Sequence, residues 1–359
     1  MEIAELLALT KKEHASDLHL TVGVPPVLRV NGELQKTNLD PLDKKKLHDM
    51  LYEILTEDQK SRFEADHELD FSVELENVAR FRVNAYLTRS GVGAAFRMID
   101  DHIPSIEELN LPKVIERFSK LERGLVLVTG PTGSGKSTTL AALINLINQE
   151  RRCHIITLED PIEYVHKHQN SIINQREVGS HTHSFANALR SALREDPDVI
   201  LVGEMRDLET IQLAIRAAET GHLVFSTLHT ASSGKTIDRI IDVFPADRQE
   251  QIRVQLSDII EGILAQTLIP TVTGTGRVAA VEVMFANSAI RNLIRENKAF
   301  QIPTTIQLST QEGMQSMDQA LVMLTRQGLI AQEAAEQKAY DRENYRHLML
   351  GKMPQMASK

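Results

Sequence analysis

The sequence predicts an α/β fold: a P-loop domain built on a parallel sheet, preceded by a smaller α+β sheet unit. Three observations carry this expectation. Gly130-Pro131-Thr132-Gly133-Ser134-Gly135-Lys136-Ser137-Thr138 satisfies G-x-x-x-x-G-K-[ST], the phosphate-binding loop. From that loop onward, short apolar runs alternate with helical stretches, the pattern of a parallel sheet with crossover helices. Before it, residues 1 to about 100 read as short strands separated by turn residues.

The chain has 359 residues, too many for one typical domain and suited to two with a helical tail. Hydrophobic residues make up 42% and charged residues 25%, so a globular, water-exposed protein is expected. Uninterrupted apolar runs fall far short of a membrane span. The start, Met1-Glu2-Ile3-Ala4-Glu5, is acidic and does not read as a signal peptide. Cys153 is the single cysteine, which rules out an internal disulfide and a cysteine-based zinc site and points to a reducing cytosol. A net charge of -9 argues against broad nucleic-acid or anionic-membrane binding.

In chain order, Ile3, Leu6 and Leu7 give helical spacing within Met1–His14. Ser16–Leu20 alternates polar and apolar, and Val27–Val30 is a second strand ending in an Asn31-Gly32 turn. Pro41–Phe63 reads as helical. Three strands follow, Asp70–Leu75, Ala79–Leu87 and Val92–Ile99, with turns at Asn77 and Ser90-Gly91. Residues 101–116 form the linker, with a helix expected over 113–120. The P-loop strand is Leu125–Val128, and Thr138–Ile147 is its helix. Further strands are expected at His154–Leu158, Val199–Val202 and Leu223–Thr227, their C-terminal ends meeting at one sheet edge. Ser233-Gly234-Lys235-Thr236 imitates the end of a P-loop but lacks its first glycine, and reads as a helix N-terminus. A helix over 247–266, a Gly274-Thr275-Gly276 turn, a strand over Val278–Met284 and several helices complete the chain. Ser288 is expected to cap the helix Ala289–Glu296, whose Arg291 and Arg295 read as solvated. Met353–Lys359 reads as disordered. The domain boundaries are therefore 1–100, 101–116, 117–285 and 286–359.

The chemistry follows from residue types at the strand ends. In the loop Gly130 to Thr138, glycines let successive N–H groups face inward, and the helix beginning near Lys136 adds its positive dipole end. Lys136 can reach the β- and γ-phosphates, and Ser137 can ligate Mg²⁺. Val199-Ile200-Leu201-Val202-Gly203-Glu204 is an apolar strand ending in a carboxylate. Glu204 there can polarise an attacking water. Glu163 is a second acidic candidate, for metal-bound water. His229, ending Thr227-Leu228-His229, can report the γ-phosphate through a hydrogen bond. His166-x-His168 and His181-x-His183 lack a third ligand and do not read as a metal site. Arg80, Arg82, Arg89 and Arg97 recur on the last two strands of the first unit. For any one of them a solvated strand face is the ordinary reading.

Four blocks then carry a resemblance: the P-loop, Thr157–Glu163, Asp198–Arg206 with Glu204, and Ala214–His222 through His229. Across almost its whole length the chain resembles the secretion-type ring ATPases, and within them the type IV pilus retraction branch. Ala289–Glu296 is similar to the C-terminal signature of that branch. Pilus-extension and type II secretion relatives usually carry a four-cysteine zinc module, which a chain with one cysteine cannot hold. The resemblance implies a PAS-like N-terminal domain followed by a RecA-like ATPase domain. It also implies a homohexamer with ATP and Mg²⁺ between subunits, completed by arginines of the N-terminal domain, by position Arg82 and Arg97. The implied activity is ATP hydrolysis coupled to withdrawal of pilin subunits in twitching motility. The implied partners are the pilus machinery and an inner-membrane platform protein, which would hold a cytoplasmic protein at the inner membrane. Met314–Ala320 is similar to an accessory retraction branch. Two other classes stay open: a nucleic-acid translocase ring, with salt-dependent DNA binding as the discriminating signal, and a nucleotide-gated scaffold without turnover.

Overall fold

The computed structural model describes residues 2–30, 32–75, 78–99, 102–274 and 276–351. The turn residues Asn31 and Asn77, Asp101 of the linker, Thr275, and the tail Met353–Lys359 lie outside the described residues. The chain divides into two compact units, Met1–His102 and Ile103–Lys359.

The first unit runs α1 (Ile3–Lys12), β1 (Asp17–Thr21), β2 (Val27–Val30), β3 (Glu33–Lys36), α2 (Lys44–Glu53), α3 (Glu57–Asp66), β4 (Glu68–Leu75), β5 (Ala79–Thr88) and β6 (Gly91–Ile99). Its sheet has the order β3-β2-β1-β6-β5-β4, antiparallel throughout. Alternation sets its faces: Phe81, Val83 and Ala85 of β5 and Ala94 and Phe96 of β6 are fully buried with Leu18 and Leu20. The expected helical stretch Pro41–Phe63 is two helices. Thr56 interrupts it by capping α3, in a reciprocal pair with Gln59. Strand β3 was not foreseen: all four residues are exposed, so no apolar alternation announces it.

The second unit begins with residues that were expected as linker. Ile106 and Leu111 are buried in the larger core, and Lys113–Lys120 is a 3-10 helix placing Phe118 there too. The succession is then β7 (Gly124–Thr129), α4 (Lys136–Glu150), β8 (His154–Glu159), β9 (Ile172–Glu177), α5 (Phe185–Ala192), β10 (Val199–Val202), α6 (Leu208–Glu219), β11 (Leu223–Leu228), α7 (Ser233–Asp242), α8 (Ala246–Ile259), β12 (Ile260–Pro270), β13 (Arg277–Phe285), α9 (Ser288–Arg295), α10 (Ile302–Leu308), α11 (Met317–Arg326), α12 (Gln332–Lys338) and α13 (Arg342–Met349). The sheet order is β13-β12-β7-β11-β10-β8-β9. All neighbours are parallel except β12 and β13. Strands β7, β10 and β11 are buried along their whole length, as strands covered on both faces should be. Among the described residues no helix is long and apolar enough to cross a membrane.

Four expectations are corrected here. The helix expected over 247–266 ends at Ile259, and residues 260–270 form β12. Ile252, Leu256, Ile260 and Ile263 continue a helical period across the junction, but pairing with β7 on one side and β13 on the other wins. Strand β9 is a polar edge strand, paired with β8, and carried no apolar run. The cap of α9 is Asn287, whose Oδ1 accepts from Ile290 N–H at 3.0 Å, so Ser288 is the first helical residue. Arg291 is not merely solvated. It donates to the Ser257 and Asp258 carbonyls at 2.8 and 2.9 Å, at the C-terminal end of α8, and to Glu261 at 2.9 Å. Arg295 pairs with Asp258 at 3.2 Å.

Gly262 lets β12 pass the 3-10 helix: an added Cβ would lie 2.3 Å from the Phe118 ring and 2.8 Å from the Met284 carbonyl. Neither ring nor backbone can yield cheaply in a close-packed core. Gly262→Ala is therefore expected to lower unfolding stability by about 1–3 kcal/mol, read as a fall in the urea midpoint.

Candidate nucleotide site

The C-terminal ends of β7, β8, β10 and β11 meet at one edge of the sheet, where open α/β sheets bind ligands. A cleft of about 270 Å³ opens there. Its lining includes Thr132, Gly133, Lys136 and Ser137 of the loop, Glu159, Asp160 and Glu163 after β8, Glu204 and Arg206 after β10, and Thr227 and His229 from the end of β11. The structure thus brings together the expected Lys136, Ser137, Glu163, Glu204 and His229.

The loop is shaped by its glycines. Gly130 has φ +144 and Gly135 φ +86, conformations that side-chain-bearing residues rarely adopt. A Cβ on Gly130 would fall 2.2 Å from the Gln266 carbonyl, and one on Gly135 would fall 2.8 Å from Gln266 Nε2. At Gly133 the space ahead is open within 4 Å. The loop is therefore pressed against β12 on one side and open on the other, the form of a phosphate cradle. Lys136 Nζ donates to the Gly130 carbonyl at 3.0 Å and the Pro131 carbonyl at 3.1 Å, bridging the loop that it follows. Burial pushes its ammonium below the usual lysine range, opposed by the carboxylates of Glu204 and Glu163. Thr138 Oγ1 lies 3.0 Å from the Tyr164 hydroxyl, joining α4 to the segment after β8.

Glu204 Oε1 is held by Arg206 Nε at 2.7 Å and His229 Nε2 at 3.0 Å. Burial opposes its ionisation, but the Arg206 hydrogen bond and the facing His229 and Arg206 outweigh it, and the carboxyl sits below the usual glutamate range. The backbone of Gly203 fixes where Glu204 begins. Its N–H donates to the Leu158 carbonyl at 2.7 Å, and Thr227 Oγ1 donates to the Gly203 carbonyl at 2.7 Å, so the turn after β10 is tied to both neighbouring strands. Glu159 is the contrasting carboxyl. Burial pushes it up, against hydrogen bonds from Thr157 Oγ1 at 2.7 Å and Gln175 Nε2 at 3.1 Å.

Family comparison places this geometry. The description type II/IV secretion system protein matches residues 10–350. The chain belongs to the type II/IV secretion system protein family. Among its relatives in that family is the type IV pilus retraction ATPase PilT of Pseudomonas aeruginosa, 53% identical over 96% of this chain and 100% of that one. The type IV pilus ATPase PilU of the same organism is 42% identical over 93% of this chain and 88% of that one. A crystal structure of the pilus retraction motor PilT with bound ADP superposes with a TM-score of 0.90 at 48% identity, covering 96% of this chain and 98% of that one. The expected fold class, a RecA-like P-loop domain preceded by a PAS-like α+β unit, holds for this member of the type II/IV secretion system family.

Arg82 and Arg97, the two arginines singled out in the sequence, are neighbours in register on β5 and β6 of the first unit and are exposed. Arg97 Nε donates to Asp17 Oδ1 at 2.9 Å. Three residues were missed. Arg206 ends the block Asp198–Arg206, and its spacing of two from Glu204 is the signal that could find it. Glu159 stood inside the acidic block. Gln266 lay in the stretch expected to be helical, so nothing pointed to it. The histidine pairs are engaged in structure: His168 Nδ1 accepts from Ile173 N–H at 3.1 Å and His181 Nδ1 from Glu177 N–H at 3.0 Å.

His166, on the cleft wall, is buried and its Nδ1 has no hydrogen-bond partner among the described residues. Desolvation lowers its pKa from 6.5 to about 4. The unfolded chain then binds the extra proton between these values, so stability is full above about pH 6.5 and falls as pH drops toward 4. At pH 5 this one group should cost about 2 kcal/mol relative to pH 7. His166→Leu should flatten that part of the profile, measured as urea midpoints at the two pH values.

Proposed function

We propose that this chain is a Mg²⁺-dependent ATPase whose homohexameric ring drives type IV pilus retraction at the inner membrane. The observation that carries the reading is Glu204: an ionised carboxylate fixed by Arg206 and His229 in the same cleft as the loop of Lys136 and Ser137. The loop amides of Gly130 to Thr138 hold the nucleotide phosphates, and Lys136 leaves the loop carbonyls for the phosphate oxygens. Ser137 and, through water, Glu163 are the residues that would hold Mg²⁺, which would supply neutralisation of phosphate charge. Glu204 orients and polarises the water. Its depressed pKa makes it a weak base, but it keeps the group charged at neutral pH, so positioning is its contribution. His229 touches the same carboxylate oxygen as Arg206, which links the state of the phosphate site to the end of β11.

Relatedness supports the principal retraction motor over the accessory one, at 53% against 42% identity. The platform protein and the rest of the pilus machine are the partners in this reading, and no nucleic acid is required. Of the two first-unit arginines, Arg82 is the better candidate to reach a neighbouring subunit's phosphates, because Arg97 is tied to Asp17. An arginine there would stabilise charge that develops in transfer.

Two variants test these roles. Glu204→Gln is expected to bind nucleotide like the parent while phosphate release falls by about 10²- to 10⁴-fold; parent-like turnover would remove the assignment. Arg82→Ala is expected to assemble normally by analytical ultracentrifugation yet turn over on the order of 10³-fold more slowly. Normal rates in assembled rings would exclude that role.

A further inference from the structure

Behind the phosphate loop lies a side chain that does not line the cleft. Gln266, on β12, is 3% exposed. Register brings it there: β12 runs parallel to β7 with Ala265 opposite Thr129, so the next residue of β12 meets the first glycine of the loop. Its Nε2 donates to the Ser134 carbonyl at 2.7 Å, and its Oε1 accepts from Thr139 Oγ1 at 2.8 Å. The orientation of the amide follows from its partners, because a carbonyl can only accept. One buried side chain thus spans the loop and the first turn of α4. Both of its hydrogen bonds are with residues of the glycine loop and its helix.

The consequence lies in one peptide plane. The Ser134 carbonyl and the Gly135 N–H belong to the same planar trans unit and point in opposite directions. A donor that holds the carbonyl back toward β12 turns the N–H toward the open side, where Gly133, Lys136 and Ser137 line the cleft. The second hydrogen bond, from Thr139, anchors the other end of the amide, which holds the side chain in reach of the Ser134 carbonyl. The glycines fit the same contact. Any side chain at Gly135 would collide with Gln266 Nε2, and any at Gly130 with the Gln266 carbonyl. We propose that Gln266 is a positioning residue for nucleotide binding, holding the Ser134–Gly135 peptide with its N–H aimed at the phosphates.

The inference rests on the nucleotide reading of the cleft, and the experiment separates the two. The full-length chain is titrated with a fluorescent ADP analogue, and steady-state ATP turnover is measured beside it. The variants are Gln266→Met, which keeps the bulk without either hydrogen bond, and Gln266→Glu, which sets an oxygen against the Ser134 carbonyl. In both, Kd and KM should rise together by about tenfold, the loss of one well-placed hydrogen bond. Because the amide meets phosphate in ground and transition states alike, kcat should stay near that of the parent. A purely structural role would instead lower the melting temperature or the active fraction with Kd unchanged, and that result overturns the proposal. Should these variants fail to fold, Thr139→Val, which frees the amide to rotate, decides by the same titration: a weaker Kd supports the proposal and a parent-like Kd overturns it. A parent protein that binds no nucleotide would sink the reading of the cleft itself.

Discussion

The site depends on how one glycine-rich loop is held with its N–H groups facing open space. Left to itself, Gly130–Thr138 has little reason to keep that form, since glycine is the residue with most freedom to lose on folding. The surroundings supply the constraint. Strand β7 delivers the loop from a fully buried position, α4 leaves it, Lys136 bridges the carbonyls of Gly130 and Pro131, and Gln266 grips it from β12. The engaged Pro131 and Ser134 carbonyls leave the N–H groups of Thr132 and Gly135 on the other side of their peptide planes, while the Gly130 carbonyl precedes a proline, which has no N–H. An anion site is thereby assembled from backbone groups, with side chains acting chiefly as clamps.

Charge in the cleft is arranged by different environments for carboxyls that line the same cleft. Glu159 is half-buried among neutral hydrogen-bond donors, and desolvation raises its pKa. Glu204 is held by two cationic or potentially cationic groups and stays ionised. Lys136 is drawn down by burial yet kept in balance by Glu204 and Glu163. Different environments thus push two carboxyls of one cleft in opposite directions, the pattern by which acid and base roles are separated in active sites. His166 adds a neutral, buried imidazole to the same wall, so acid conditions act on the fold at the site itself.

Much of this was legible from residue patterns, for physical reasons that differ by element. The P-loop strand, its helix and the strands ending at Glu204 and His229 carry apolar runs with nowhere to go but a two-sided core. Their C-terminal ends had to gather at one edge. The edge strands β3 and β9 were invisible because an exposed polar strand has no hydrophobic period to betray it. The junction at Ile259 was misread because a helical spacing happens to continue into β12, and only partner strands far along the chain decide otherwise. Gln266 was hidden by the same error. Arg291 read as solvated because helix periodicity alone does not say which carbonyls lie across from a guanidinium. The meeting of Arg206 and His229 on one oxygen of Glu204 depends on the turn after β10, whose path sequence spacing does not specify.

The C-terminal segment joins the site through β12 and β13 rather than through the cleft. Arg291 of α9 satisfies carbonyls at the end of α8 and pairs with Glu261, the second residue of β12. Five residues on, the same strand presents Gln266 to the loop. Beside it, buried Glu282 of β13 accepts from the N–H and hydroxyl of Ser233 at the start of α7, both at 2.7 Å, and α7 begins four residues after His229. Two short routes, each part backbone and part hydrogen bond, therefore lead from this edge of the sheet, one through β12 to α9 and one through α7 to β13. A ligand can shift a conformational equilibrium only through contacts that differ between states. The residues that differ most directly in what they would touch, Lys136 and His229, sit at the heads of those two routes. Strands in a close-packed sheet transmit displacement with little compression, so the place to look for coupling is the β12–β13 pair.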